Sequence, residues 1–482
     1  MNQTEHFDAA VIGGGLLGCF VARHLSRFRL NVAVIEKNAD VCAEISRANT
    51  SIIYSGYDNK PGSLKARMCV EANLGFDRLA DELSVPFKRC GSLMAATGPR
   101  GEAVLRKKLT QGIENGVKNL KLISGSEARA MEKDLSPAVT LALYSPSTGT
   151  VNPWELGIAA IENAVSNGAK LFLNTEVTGI SKSGGDYILQ TDDLTFVTRG
   201  VINCAGLFTD IVNEMISVPY FKLSPTRGDY IVLDTYANGI INNIIFLEPE
   251  ARGKGATLVP TVDGNVMLGP SEEDQNDEAR FATTSSGLQF VIDSSKEAVP
   301  ALPLEHIIRS FAALRPNIFL TEEDDSGNLR LSSQSINDFM IGAPEEHPLF
   351  INVPGVKTPG LTCADEIGKY VAEMLTERLG SVSRNTEYDP RRKTLLPIGT
   401  SQNIVCRCRQ VTEDEIRNAV RRPVGARTVD GVKRRTGACM GRCQGGFCAQ
   451  RIIEILSEEL GVVVDDIRKG GNDSYLIRGG RP

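Results

Sequence analysis

Apolar and polar positions change period along the chain, and the changes mark its elements. Phe7 to Ile12 is a short, nearly unbroken apolar run, the pattern of a buried strand. Gly13-Gly14-Gly15-Leu16-Leu17-Gly18 follows at once, Cys19 to Leu25 takes helical spacing, and Asn31 to Ile35 is a second strand ending in Glu36. Strand, glycine turn, helix, strand and acid are the parts of a dinucleotide-binding unit. In such a unit Gly13 permits the tight turn, Gly15 lets the backbone approach a pyrophosphate, and Gly18 lets helix and strand pack closely. The helix N-terminus offers N–H donors to the phosphates. Glu36, followed by Lys37, accepts from ribose hydroxyls. No second such unit follows, so one bound dinucleotide is expected, and the motif alone does not choose between FAD and NAD. A glycine-rich turn in some other α/β protein is the plainer alternative.

Further along, residues 92–149 mix helix signals with loops and show no chemistry. Asn152-Pro153 opens a helix with a capping residue and a proline at the first helical position, running to about Asn167 and stopping at Gly168. Lys170 to Val177 and Phe196 to Cys204 read as strands, the latter ending in Ala205-Gly206. Pro225 to Leu233 and Ala256 to Leu268 alternate and are β-branched, which suggests an antiparallel sheet. Pro354 to Thr362 is a glycine-containing turn that opens a helix through Leu375. Residues 381–402 are polar and read as a linker, so the chain divides into 1–380, a linker, and 403–482. The expected fold class is α/β and α+β: a Rossmann-like nucleotide domain, an antiparallel substrate domain, and a small helical module.

Charge sharpens that division. The net charge is −6, which gives no sign of nucleic-acid binding, but from Ser401 onward 15 Lys and Arg face 10 Asp and Glu. The tail is thus basic and the remainder acidic. No run approaches the roughly 18 apolar residues that a membrane span needs. Eleven cysteines, with no room for an export signal before Phe7, point to a reducing, cytoplasmic setting.

Five of those cysteines crowd between Cys406 and Cys448. Cys406-Arg407-Cys408 precedes Thr412-Glu413-Asp414-Glu415, a capping box that starts a helix. Cys439, Cys443 and Cys448 then sit in a glycine-rich stretch ahead of a second helix, from about Gln450 to Leu460, which Gly461 ends. Thiolates on glycine-rich turns suit an iron–sulfur or soft-metal centre, because backbone N–H groups can point at sulfur. Structural zinc remains the alternative, although CxC with CxxxxC matches paired CxxC knuckles poorly.

The segment Ser46 to Gly56 resembles the flavin-contacting loop of the D-amino-acid-oxidase-like flavoproteins. The stretches Pro61 to Arg67 and Pro86 to Gly91 resemble the glycerol-3-phosphate dehydrogenases and oxidases and the L-2-hydroxyglutarate oxidases. The likeness continues to about Leu379. It implies FAD, held also by Ser46, Asn49 and Thr50, by Val177 on the adenine side, by Ala205-Gly206 at a second turn, and by Gly355, Gly360, Leu361 and Thr362 at the ring. The C-terminal segment resembles the 2Fe–2S domain related to bacterioferritin-associated ferredoxin. That pattern maps the ligands to Cys406, Cys408, Cys443 and Cys448 and leaves Cys439 as a spectator or an alternative ligand.

On the substrate side the resemblance implies a small anionic hydroxy compound. Arg315 and Lys254 fall at family positions near it, and Arg227 falls in a substrate-side loop. One departure stands out. Those families usually place histidine where this chain has Tyr54, and tyrosine, with a pKa near 10, is a poor base at neutral pH. Three functions are therefore weighed: a dehydrogenase that passes electrons through the cluster to an acceptor protein, an electron-transfer subunit whose alcohol site is vestigial, or a structural zinc-binding protein with a relic nucleotide fold.

Overall fold

The computed structural model describes residues 3–248, 255–274, 281–323, 329–393, 402–471 and 473–476. Strand Gln3–Ile12 leads into helix Leu16–Leu25, and strand Val32–Ile35 returns parallel to the first, in register from Ala9↔Val32 to Ile12↔Ile35. The helix buries every residue except Leu17. Its two buried polar side chains are met from neighbouring elements: Arg23 by Asp365 at 3.0 Å and Glu82 at 2.7 Å, and His24 by Asp365 at 2.8 Å. Asp365 belongs to helix Gly360–Leu379. The two helices touch closely, since a Cβ at Gly368 would lie 2.7 Å from the Phe20 carbonyl carbon.

The sheet behind them has seven strands. Gln3–Ile12 pairs in parallel with Leu194–Asn203 on its other side, and Phe350–Asn352 pairs in parallel with Val201 to Asn203. Lys170–Phe172 closes the edge beside Val32–Ile35. The strand expected through Val177 stops at Phe172 because the chain turns inward there: Asn174 N–H donates to Asn38 O and Thr175 N–H to Glu36 O. Val177 is buried beyond that turn. One nucleotide-type sheet is thus assembled from three distant stretches of sequence, 3–35, 170–203 and 350–352.

A ten-stranded sheet forms the other half. Its spine is the antiparallel pair Phe221–Leu233 and Ile307–Glu323, in register from Phe221↔Leu320 to Tyr230↔Phe311 and beyond. The stretch Ala256 to Leu268 is a hairpin, Thr257–Pro260 against Val266–Gly269. Residues 92–149 carry more architecture than their sequence suggests. Ser92–Ala96, Leu141–Ser145 and Lys121–Ser124 extend the same sheet, and helices Pro99–Glu114 and Gly125–Met131 flank it.

The C-terminal module has three helices where two are legible in the sequence: Glu413–Arg421, Val429–Thr436 and Ala449–Leu460. The capping box is present, with Thr412 N–H donating to Glu415 at 2.8 Å and Glu415 N–H to the Thr412 hydroxyl at 3.3 Å. Ile416, Val420, Val432, Ile452, Ile455 and Leu456 form the small core.

Buried ion pairs dock this module, together with Val424, which packs into the main core. Arg422 reaches Glu155 and Glu162, both at 2.8 Å, and Arg392 pairs with the same two carboxylates. Arg434 and Arg435 meet Asp40 at 2.6 and 2.7 Å. These two guanidiniums outweigh the cost of burying Asp40 and hold its carboxyl at about 2. Residues 381–393, the first part of the segment read as a linker, lie against the nucleotide half: Asn385 N–H donates to Arg27 O, and Arg392 N–H to Glu82 O.

Candidate active site and cysteine centre

The three motif glycines do three different jobs. Gly13 has φ +102, and a Cβ there would lie 2.5 Å from the Cys204 carbonyl oxygen. A Cβ at Gly18 would lie 1.9 Å from the Gly13 carbonyl oxygen. Both are fixed by the packing of backbone on backbone. A Cβ at Gly15 would meet only Ser46 Oγ, at 3.5 Å, and Gly15 instead faces a cavity of about 370 Å³. Ser46 Oγ accepts the Leu16 N–H at 3.0 Å, fastening its loop to the helix N-terminus.

The cavity runs from this turn to the second glycine-containing turn. Ser46, Asn49 and Thr50 line one part, Gly206 another, and Gly355, Gly360 and Leu361 the far end. Tyr54 and Arg315 line it as well. An elongated space between two helix N-termini, bounded by a glycine that leaves it open, fits a dinucleotide.

Other expected residues stand behind the wall. The Glu36 carboxylate accepts the Gly14 N–H at 2.6 Å and the Asn38 backbone and side-chain N–H groups at 2.8 and 2.7 Å. It is buried, and burial pushes its carboxyl up. Lys37 places its ammonium 3.5 Å from the Phe208 ring centre. Thr362 Oγ1 accepts the Tyr54 N–H at 2.9 Å, tying the Tyr54 segment to helix Gly360–Leu379. Gly13, Gly18, Val177 and Ala205 are not part of the lining of this cavity.

At the substrate end, the Tyr54 ring stacks on Phe246, with centroids 6.0 Å apart. Arg315 sits opposite Thr226 in the long antiparallel pair. Its Nη2 donates to Ser271 O at 3.2 Å, and its Nη1 lies 3.4 Å from Glu272. Arg227 is not in the wall: it is buried and pairs with Glu273. Lys254 lies outside the described residues. Lys357 was missed by sequence reasoning. It lines the cavity and donates to Asn317 Oδ1. A cation in the middle of the Pro354 to Thr362 turn is the signal in the sequence that points to it.

The cysteines gather in pairs. Cys408 Sγ lies 3.6 Å from Cys443 Sγ, and Cys439 Sγ lies 3.5 Å from Cys448 Sγ. Cys406 also contacts Cys448, which, with burial, pushes the Cys406 thiol up. The Phe447 N–H, and then that of Gly445, point at the Cys443 sulfur and lower its thiol. Among the described residues no three Cys, His, Asp or Glu side chains converge on a point suited to one metal ion. Paired thiols fit a binuclear cluster instead, which takes two thiolates per iron. Cys439 lies inside this group, so five thiols are within reach where the family pattern needs four.

Comparison with known proteins agrees with both halves. Residues 8–374 match the family model of FAD dependent oxidoreductases (DAO), and residues 404–458 match that of BFD-like [2Fe-2S] binding domains. A glycerol 3-phosphate dehydrogenase of Caloramator mitchellensis is 41% identical, over 98% of this chain and 98% of that protein. A glycerol 3-phosphate oxidase of Mycoplasma genitalium is 30% identical, over 78% and 96%. The dithionite-reduced, FAD-bound L-alpha-glycerophosphate oxidase of Mycoplasma pneumoniae superposes with a TM-score of 0.73 at 26% identity, covering 80% of this chain and 98% of that one. No helix among the described residues is long and apolar enough to cross a membrane. The chain belongs to the FAD-dependent oxidoreductase family, in the branch that holds the glycerol 3-phosphate dehydrogenases and oxidases, and it carries a BFD-like 2Fe–2S domain at its C-terminal end.

Proposed function

We propose that this chain oxidises glycerol 3-phosphate, or a small anionic hydroxy compound close to it, and delivers the electrons to an acceptor protein by way of the cysteine module. The observation that carries this reading is Arg315, a guanidinium in the wall of the cavity that also holds Gly15, Tyr54 and the Gly355–Leu361 turn. A guanidinium binds a phosphate or carboxylate through two N–H groups at once. Bound FAD supplies the hydride acceptor, and the 2Fe–2S cluster supplies a one-electron path away from it. The chain's own residues do the rest. Arg315 orients the anion, and Tyr54, stacked on Phe246, closes the apolar side of the space. Lys357 adds a second cation to the wall, and an unshifted phenol or ammonium, both with values near 10, is poorly suited to take the hydroxyl proton.

Anaerobic addition of glycerol 3-phosphate to the FAD-loaded protein is expected to bleach the flavin absorbance, with L-2-hydroxyglutarate as the comparison. Arg315→Ala is expected to raise the half-saturating concentration by about 10²-fold, as loss of a charge-assisted bidentate contact should. No bleaching with any polyol phosphate or hydroxy acid would favour the second reading, an electron-transfer subunit with a vestigial alcohol site. That reading draws on Tyr54 standing where relatives usually carry histidine.

A further inference from the structure

A second cavity, of about 400 Å³, lies where the cysteine module meets the oxidoreductase half. Ala48 and Asn49 line both it and the first cavity, while Met440 and Gln444 come from the cysteine-bearing turn. Its charge is one-sided. Arg47, Arg309, Arg409, Lys433, Arg434 and Lys469 line it against two carboxylates, Asp263 and Asp430.

Much of this positive charge lacks a counter-charge. Arg409 is matched by Asp263 at 2.9 Å. Arg434 must share Asp40 with Arg435, and its Nε, in a residue 8% exposed, has no hydrogen-bond partner. Lys433 makes no ion pair among the described residues. Burial, and then the neighbouring Arg309, push its ammonium down to about 8, with Asp430 opposing and Lys469 adding to the effect. The rest of the wall is of another kind: Trp154, Phe311, Met267 and Met440. Cations crowded on one part of a cavity, with aromatic and thioether groups on another, suit a ligand that is part oxyanion and part planar ring.

We propose that this junction is a binding site for a mononucleotide, its phosphate held by the Lys433 and Arg309 side and its ring by the aromatic and thioether side. A free inorganic anion would leave the apolar wall unused. The occupant would touch residues of both halves, so it would also fasten the module to the domain.

The test is calorimetric titration of FAD-loaded, cluster-loaded protein with AMP and with FMN. Ribose 5-phosphate serves as a phosphate without a ring, and adenosine as a ring without a phosphate. AMP or FMN is expected to saturate at one per chain and to bind at least about tenfold more tightly than either fragment. Lys433→Glu and Arg309→Glu are each expected to weaken that binding by about tenfold or more with FAD and iron contents unchanged. Arg309 is exposed, so its variant decides the matter should Lys433→Glu fail to fold. The proposal is overturned if neither nucleotide saturates below about 1 mM, if ribose 5-phosphate binds as tightly as AMP, or if Arg309→Glu leaves the affinity unaltered.

Discussion

Two turns built on small residues define the ends of this molecule, and they use smallness differently. In Gly13 to Gly18 the missing side chains make room for backbone, with would-be Cβ atoms 1.9 and 2.5 Å from carbonyl oxygens. In Cys439 to Cys448 they make room for cysteine side chains: a Cβ at Gly441 would lie 2.2 Å from Cys408 Cβ, and one at Gly445 would lie 3.2 Å from Cys439 Sγ. The first turn holds its shape without a ligand, because the groups at Gly13 and Gly18 are backbone already in contact. The second crowds thiols 3.5 to 3.6 Å apart. Such groups repel when ionised, so that site is completed by its metal.

The harshest way to break the comparison is Gly18→Val. It should yield no FAD-loaded protein at all, since neither the helix nor the strand can retreat; recovery of yellow, folded protein would show the turn to be less rigid than described. The cysteine changes should divide the molecule instead. Cys406, Cys408, Cys443 or Cys448 to Ser is expected to lose or perturb iron and labile sulfide while FAD content stays at the wild-type level. Cys439→Ser should keep the cluster spectrum. If Cys439→Ser destroys the spectrum and Cys448→Ser does not, the fifth thiol is the true ligand.

Between the turns lies the docking surface. Arg422→Ala strips one cation from a buried group of two arginines and two glutamates, and should cost about 3–5 kcal/mol in a denaturant titration. A cost below about 1 kcal/mol would mean that the apolar contacts dock the module unaided. The smallest effect concerns pH. Burial, opposed by Arg392, pushes the Glu162 carboxyl up to about 7. Its unfolded value is near 4.3, so the folded state binds the extra proton between these limits. Stability from this group is therefore full below about pH 4 and is lost as pH rises toward 7, on the order of 3 kcal/mol in all. Glu162→Gln should flatten that slope; an unchanged slope places the titration elsewhere.

What could be read from the sequence was local. The glycine turn, the Asn152 and Thr412 caps and the αL stop at Gly461 each depend on a few adjacent residues, and each stands in the structure. What escaped was tertiary. Helix Val429–Thr436 is hard to read from sequence because Arg434 and Arg435 look like solvent-facing cations, whereas both turn inward and share Asp40, some four hundred residues earlier. Residues 92–149 were opaque because short strands gain their meaning from sheet neighbours such as Ile244–Leu247. Glu36 was recognised as an acid at the right place, but its bonds to Gly14 and Asn38 follow from how the turn folds back over it.

The strand Phe350–Asn352 has a consequence for the making of the protein. Ribosomes release the chain from its N-terminus, so Val201 to Asn203 emerges well before the strand that will cover it. At about 5–20 residues per second, that open edge waits on the order of 10 s. Helix Gly360–Leu379, whose start borders the first cavity, emerges later still. Flavin therefore cannot be gripped by a growing chain, and until translation has passed the whole oxidoreductase half the nascent sheet is a template for unwanted pairing.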